Sequence, residues 1–184
     1  MPTWNGWYHV NGNTYGTWLP GDPRGWREQG HKRHVCGDYQ NPPPLGSGNA
    51  LHRHSKRLLK QLPVHLTVNQ RLIAGRSMVE MLLTQRIELL VLSLDDIHYH
   101  LLGRFPSVQV RPIVGRAKKH AYFELHGQGF VGHLWGQSSN VVPITGRNHQ
   151  LNVFRYVNDH KTKGAWVWTF REGIYWRDEK NDSK

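Results

Sequence analysis

A mainly apolar run that leads through two aspartates into a strand with two histidines is the feature that most constrains this fold. Residues 87–94 read Ile-Glu-Leu-Leu-Val-Leu-Ser-Leu, Asp95 and Asp96 follow, and 97–103 read Ile-His-Tyr-His-Leu-Leu-Gly. Two such runs joined by turn-forming residues predict a β-hairpin within a sheet. Because side chains alternate along a strand, His98 and His100 would project from one face and Tyr99 from the other.

Two imidazoles on one rigid face can hold the same metal ion. The chain contains 13 histidines in 184 residues, so about one His-x-His is expected by chance and only its strand context gives the pattern weight. A second pair, His52 and His54, lies in a basic stretch that is not strand-like, and we interpret it as the chance match. Combined with His31, His34 and Cys36, it lacks the paired cysteines of structural zinc sites.

The charge balance predicts a polyanionic partner. Lysine and arginine total 24 against 13 acidic residues, which gives a formal net charge of +11. This balance differs from that of a typical metabolic enzyme. Eight tryptophans and seven tyrosines could stack on nucleic acid bases while the basic side chains contact phosphates. The alternative is that most of these rings belong to the core.

Compartment is predicted from cysteine use and from the absence of apolar segments. Cys36 is the lone cysteine, which excludes an internal disulfide framework and fits a reducing compartment. The first residues lack the basic and apolar regions of a secretory signal, and no apolar run approaches the length of a membrane span. We therefore expect a soluble, cytoplasmic protein that makes no contact with a membrane.

Apolar periodicity and turn residues divide the chain into alternating elements. Strands are predicted at 7–19, 87–94, 97–105, 130–135 and 166–170, and helices at about 51–62, 68–85, 110–125 and from 143 or 145 to 160. This order predicts an α+β, ferredoxin-like antiparallel sheet with helices on one face, which leaves the other face for chemistry. We interpret residues 1–184 as one domain with a basic, loop-rich insertion at about 21–62 and a polar tail at 178–184.

The last predicted helix presents two faces. Gln150, Val153, Phe154 and Val157 form a mainly apolar stripe, and Tyr156 and His160 adjoin it one turn apart. A phenol is a poor nucleophile because its pKa is about 10, so attack on a phosphodiester needs a divalent ion. Two histidines and a third ligand would admit Mg²⁺ or Mn²⁺, and also Zn²⁺ or other transition metals.

These motifs resemble those of the HUH single-tyrosine transposases, especially the REP-associated branch. The resemblance is carried by His-Tyr-His at 98–100 with its two preceding aspartates, by Phe-Arg-Tyr-Val-Asn-Asp-His at 154–160, and by the basic residues and glycine at 161–164. The segment Gly-Thr-Trp-Leu-Pro-Gly-Asp-Pro-Arg-Gly-Trp at 16–26 is also similar to a signature of such proteins. The likeness extends from Trp7 to about Phe170.

The resemblance implies a transposase-like transesterase that cleaves and rejoins single-stranded DNA, typically beside a hairpin, through a 5′-phosphotyrosine. Tyr156 would be the nucleophile, His98 and His100 metal ligands for Mg²⁺ or Mn²⁺, and His160 the third ligand where the family commonly has Gln or Asn. Whether the protein is a monomer or a homodimer stays open. Basic residues predicted to contact DNA are Arg24, Arg53, Lys56, Arg57, Lys60, Arg155, Lys161 and Lys163.

Two other classes of protein fit parts of the pattern. A domesticated relative on the same fold could bind nucleic acid without catalysis, although the presence of Tyr156 and both hairpin histidines favours an enzyme. A metal-independent phosphoesterase would need two His-x-Thr/Ser motifs, whereas this chain has one well-placed His-x-His. A structure in which Tyr156 lay far from the histidines would remove the transposase hypothesis.

Overall fold

The computed structural model describes residues 3–24, 46–106 and 109–171, which contain a five-stranded antiparallel sheet and four α-helices. The strand order is β4-β1-β3-β2-β5, and the predicted α+β, ferredoxin-like class is confirmed. The strands are β1 (Trp7–Asn13), β2 (Glu88–Leu94), β3 (His98–Arg104), β4 (Asn140–Pro143) and β5 (Trp166–Thr169). The helices are α1 (Asn49–Arg57), α2 (Val68–Thr84), α3 (Val110–Gly127) and α4 (Arg147–Asn158), with a 3₁₀ segment, Asp159–Lys163, after α4.

The predicted hairpin forms from β2 and β3, with Leu94 paired to Tyr99. Asp95 closes the turn with its side chain, because Oδ1 accepts the backbone N–H groups of Ile97 (2.9 Å) and His98 (2.6 Å). The backbone N–H of Asp95 also donates to the carbonyl of His98 at 3.0 Å. An aspartate that bonds the backbone two and three residues ahead favours a tight turn, and this one sets the start of the histidine strand.

Helices α2 and α3 pack against one face of the sheet and bury its main core. Val10, Leu92, Tyr99 and Leu101 are fully buried on this face and belong to one apolar cluster with residues of both helices. Helix α2 begins after Thr67, which accepts the backbone N–H of Gln70, and the Gln70 side chain accepts the N–H of Thr67. This reciprocal capping satisfies two N–H groups that the first helical turn leaves free.

Helix α4 lies across the opposite face, the one that carries the histidines. Its predicted stripe is confirmed, since Gln150, Val153 and Val157 are buried and Phe154 is partly buried. The stripe packs on a second, smaller apolar cluster that includes Trp7, Val91 and Leu102. The arrangement of helices on one face therefore holds for α2 and α3, while α4 covers this apolar part of the other face.

Some predicted boundaries were wrong. Residues 130–135 form a loop instead of a strand, because Gly129 and Gly132 adopt φ values of 91° and 96° that interrupt extended backbone. Trp135 forms an isolated bridge with Thr14, just after β1. The strand beside β1 is the four-residue β4, which sequence analysis missed. The predicted elements 7–19 and 51–62 end at Asn13 and Arg57, and the last helix starts at Arg147.

Residues 25–45 of the predicted insertion and the predicted tail 178–184 lie outside the described residues. Within the described ranges, no helix combines the length and the apolar character that crossing a membrane requires.

Candidate metal centre and its tyrosine

Three histidines from two distant parts of the chain meet on the sheet face below α4. His98 and His100 come from β3 and His160 from the 3₁₀ segment, and one ligand atom of each lies within 4.8 Å of the others. His100 and His160 are buried, while the His98 side chain is 30% exposed. Nitrogen ligands of a single ion lie up to about 4 Å apart, so modest ring rotations would bring all three to one ion.

The first ligand candidate, His98, is oriented by the hairpin turn. Its Nδ1 lies against Oδ2 of Asp95, although it is not in line for a hydrogen bond. Burial alone would raise the pKa of Asp95, but the His98 ring and the backbone N–H groups of His98 and Ile97 together hold that pKa below its usual value. The carboxylate is therefore ionised, and it restrains a ring whose Nε2 remains available to a ligand.

The tautomer of His160 follows from its hydrogen bond. Its Nδ1 lies 2.8 Å from the carbonyl oxygen of Tyr156, and a carbonyl can only accept, so Nδ1 carries the proton. That carbonyl belongs to the last turn of α4, where helical partners are missing. The bond therefore caps the helix, and in the neutral ring it leaves Nε2 of His160 as the nitrogen that can bind a metal.

His100 is the most constrained of the three. Its Nδ1 lies 3.0 Å from Nε2 of His9, with the two rings stacked 5.2 Å apart. Burial lowers the pKa of His100 to about 2, with smaller contributions from His98, His9 and His160. Burial, together with His149 and His160, also lowers the pKa of His9 to about 4. Both rings are neutral near pH 7, so one nitrogen of this pair donates and the other accepts.

Sequence analysis missed His9. It lies on β1, where its register partner is Leu102, and in an antiparallel pair directly opposed residues point to the same face. His9 therefore shares the face of His100, two positions from its partner. Alternation along β1 could have suggested a polar face, since Asn11 and Asn13 follow at the same spacing. Only the pairing of β1 with β3, however, brings His9 to His100.

Tyr156 lies beside the histidines, as the spacing along α4 predicted. Its ring centroid is 4.8 Å from that of His160 and 5.4 Å from that of His100, with both pairs nearly perpendicular. The residue is 48% exposed, so the phenol faces both the histidine cluster and solvent. The test set by the sequence is met, because the tyrosine and the histidines share one site.

The donor set fits a divalent transition metal. Within the described part of the chain, Nε2 of His100 is buried without a hydrogen-bond partner, and leaving such a polar atom unsatisfied is costly. A bound ion would satisfy it. Three imidazole nitrogens suit Mn²⁺, Zn²⁺ or a similar ion better than Mg²⁺, which prefers oxygen ligands. His98, His100 and His160 would hold the ion, with Asp95 and His9 behind two of them.

The basic residues predicted to contact DNA fall into three places, and the DNA contact itself stays a prediction. Arg24 pairs with the buried Asp22 at 2.6 Å, so its guanidinium also has a structural role. Exposed basic residues on and just after α1 are Arg53, Lys56, Arg57 and Lys60, and those on α4 and the 3₁₀ segment, beside the histidine cluster, are Arg155, Lys161 and Lys163.

The second His-x-His does not form a comparable cluster among the described residues. His52 and His54 lie on α1, where residues two positions apart do not face each other. His31, His34 and Cys36 lie outside the described residues. The interpretation of this pair as a chance match therefore stays a prediction.

Searches against protein-family models, curated proteins and solved structures found no match for this chain. The residues of the site are three histidines that could hold one metal ion and a half-exposed tyrosine beside them.

Proposed function

We propose that the protein is a metal-dependent transesterase of the HUH single-tyrosine type, which cleaves and rejoins single-stranded DNA through a covalent 5′-phosphotyrosine. The observation that carries the proposal is the position of Tyr156, whose ring lies 4.8 and 5.4 Å from those of His160 and His100. A tyrosine with only a structural role on the helix surface is not expected beside three histidines that can share one ion. A binding protein without catalysis would not need this combination.

The parts of the site divide the chemistry between them. A divalent ion held by the three histidines would polarise the phosphate and neutralise charge that develops on it. Tyr156 supplies the attacking oxygen. As its bond to phosphorus forms, the bond from phosphorus to the 3′ oxygen breaks, the phenolic proton leaves to solvent, and the 3′ oxygen is released as a hydroxyl. The phosphotyrosine retains the phosphodiester's energy for rejoining.

The histidine environment supports this role at neutral pH. Burial keeps the pKa of His100 at about 2, so the ring does not have to lose a proton before it binds an ion. The protonated Nδ1 of His160 bonds the carbonyl of Tyr156 itself, so one hydrogen bond ties the third ligand to the residue that carries the nucleophile. Metal ligand and nucleophile are therefore held in fixed register.

Charge and accessibility favour single-stranded DNA as substrate. The formal net charge of +11 supports phosphate binding that weakens with salt, and exposed basic residues lie on both sides of Tyr156 in sequence, at Arg155 and Lys161. The tyrosine lies on a helix beside the sheet, so the DNA backbone has to bend to bring a phosphate into the site. A single strand bends readily, whereas a duplex resists local bending and hides its base faces.

A covalent-adduct assay tests the proposal. End-labelled single-stranded oligonucleotides that contain hairpins are incubated with protein and Mn²⁺, and the products are resolved on a denaturing gel. We expect protein linked to the 5′ phosphate and a free 3′ hydroxyl, and no adduct with Tyr156→Phe although its DNA affinity changes little. Tyr8→Phe, on the other face of the sheet, is the matched control. Adduct formation by Tyr156→Phe, or a protein-linked 3′ end, would contradict the proposal.

A further inference from the structure

A second candidate site lies on the helix-covered side of the molecule, between α3 and the loop 131–137. A cavity of about 660 Å³ opens there, within the range of small-molecule sites. Its lining includes Gly115, Lys118 and Tyr122 from α3 and His133 and Trp135 from the loop. None of these residues belongs to the histidine cluster or to the basic residues predicted from the sequence.

The loop that forms one wall is fixed at several points. His133 donates its backbone N–H to Oε1 of Gln61 at 2.7 Å, and its carbonyl accepts Nε2 of Gln61 at 2.8 Å. The backbone N–H of Gly136 donates to the carbonyl of Asn13 at 2.8 Å, and Trp135 Nε1 donates to the carbonyl of Lys118 at 2.8 Å. The cavity is therefore formed in advance, as a binding site with low ordering cost should be.

The cavity combines positive charge with aromatic rings. Lys118 is only 8% exposed and donates to the carbonyl of Gly136 at 2.9 Å, and Lys119 lies next to it along α3. Among the described residues that line the cavity, none is acidic. Tyr122 and Trp135 supply ring surfaces, and the His133 ring stacks on Tyr15 at 5.3 Å. A buried ammonium with one carbonyl acceptor and no carboxylate in the lining favours an anion.

We propose that this cavity is a nucleotide subsite for single-stranded DNA, in which a base stacks on the aromatic lining and the adjacent phosphate faces Lys118 and Lys119. Base stacking on aromatic side chains beside basic residues is the general mode of single-strand binding. The choice of ligand rests on the proposed function, whereas the cavity itself does not. Gly136 of the loop bonds Asn13 of β1, which pairs with His98, but α3 lies on the sheet face opposite the histidines. The subsite would therefore hold nucleotides of the DNA other than those at the cleaved phosphate.

Two glycines of α3 make the proposal testable. Gly115 lines the cavity, and in the described structure a Cβ added there meets no atom within 4 Å. Gly115→Met would therefore fill the cavity without disturbing the fold. Gly127 has equally open surroundings on the same helix but does not line the cavity, so Gly127→Met is the matched control. Both changes replace glycine by a better helix former, so neither should lower the thermal midpoint.

The test measures fluorescence anisotropy of a labelled oligothymidylate and of an abasic strand of equal length and charge, in EDTA so that no cleavage contributes. We expect Gly115→Met to bind oligothymidylate about five- to tenfold more weakly than the wild type, the loss of one stacked base, and Gly127→Met to bind as the wild type does. The abasic strand should be insensitive to Gly115→Met. Free thymidine monophosphate should compete weakly, which separates a strand subsite from a mononucleotide site.

A second pair of variants tests the phosphate contact by removing one positive charge from each of two helices. Lys119→Gln should weaken oligothymidylate binding more than Arg76→Gln, which removes the same charge from an exposed position on α2. Equal effects of the two would overturn the phosphate contact, and unchanged binding by Gly115→Met or equal displacement by polyglutamate would overturn the subsite. If the wild type formed no covalent adduct but the variants changed DNA binding as expected here, the proposed catalysis would fail and the subsite would stand. The two failures are therefore distinguishable.

Discussion

Tyr99 and His100 are neighbours in β3, and the contrast between them separates the two faces of the sheet. Tyr99 is fully buried beneath α2 and α3, and its hydroxyl shares a 2.6 Å hydrogen bond with Ser139. His100 is 7% exposed on the other face, yet its Nε2 has no partner among the described residues. On the Tyr99 face the buried hydroxyl finds its hydrogen-bond partner within the protein, and the packing there contributes stability. The other face leaves a buried polar atom for a ligand and is suited to chemistry.

The largest expected effect is on the histidine face. His100→Ala, or EDTA with the wild type, should reduce cleavage by more than about a hundredfold, because the ion that neutralises charge on the phosphate would be lost. Tyr99→Phe, the adjacent residue on the other face, should keep Mn²⁺ binding and cleavage. Titration calorimetry with Mn²⁺ and the adduct assay measure both. Full cleavage by His100→Ala in EDTA would remove the metal from the mechanism.

The free energy of unfolding should depend more on the face under α2 and α3 than on the histidine face. Leu101→Ala removes a fully buried side chain from the core under α2 and α3, and we expect it to lower the free energy of unfolding by about 2–5 kcal/mol. The folded fraction should still bind Mn²⁺ with wild-type affinity. His100→Ala should lower the free energy of unfolding less, because losing the unsatisfied Nε2 offsets part of the cost of leaving Nε2 of His9 without its partner. Urea denaturation in EDTA compares the two variants. Equal destabilisation would show that both faces contribute equally to stability.

Much of this contrast could be predicted from the sequence. The alternation at 97–103 assigned His98 and His100 to one face, and the helical spacing of Tyr156 and His160 placed them together. Both patterns depend on local geometry, which short windows encode. What could not be predicted depends on pairing between distant segments: His9 reaches His100 only through the β1–β3 register. The assignment of α4 to the histidine face likewise depends on which apolar patch its stripe covers.

The wrong strand at 130–135 has the same origin. Its aromatic and branched residues favour a strand, but two glycines at positive φ redirect the chain, and Gln61, far away in sequence, binds the loop backbone. The short β4 carries only two valines between Asn140 and Pro143, too few for periodicity to detect. The cavity beside α3 depends on this loop, and so it was invisible to sequence analysis.

A smaller effect is expected at the third ligand. His160→Gln should keep about tenfold more cleavage than His160→Ala, because the Gln carbonyl can still offer an oxygen to the ion, and tenfold corresponds to about 1.4 kcal/mol. Cleavage rates with Mn²⁺ and with Mg²⁺ provide the measurement. Gln should also shift the preference towards Mg²⁺, which favours oxygen ligands. The same loss in both variants, with both metals, would argue that His160 acts only as the cap on the Tyr156 carbonyl.

On the face under α2 and α3, a change of pH should have a small effect on stability. Burial raises the pKa of Tyr99 to about 12, against a smaller opposing contribution from its bond to Ser139. Between pH 10 and 12 the unfolded state therefore binds fewer protons at this residue than the folded state, so stability falls as pH rises. The stability that Tyr99 contributes is fully present below pH 10. Between pH 10 and 12 it is lost at about 1 kcal/mol for each pH unit.

Urea denaturation at pH 9, 10 and 11 tests this titration. The wild type should lose more stability between pH 10 and 11 than Tyr99→Phe, which has no proton to release, although the variant is less stable at pH 9 because Ser139 loses its partner. Tyr8→Phe controls for general alkaline effects, since Tyr8 is half-buried on the same face. Parallel curves for wild type and Tyr99→Phe would show that the hydroxyl of Tyr99 reaches solvent. In that case the face under α2 and α3 would be less closed than its burial indicates.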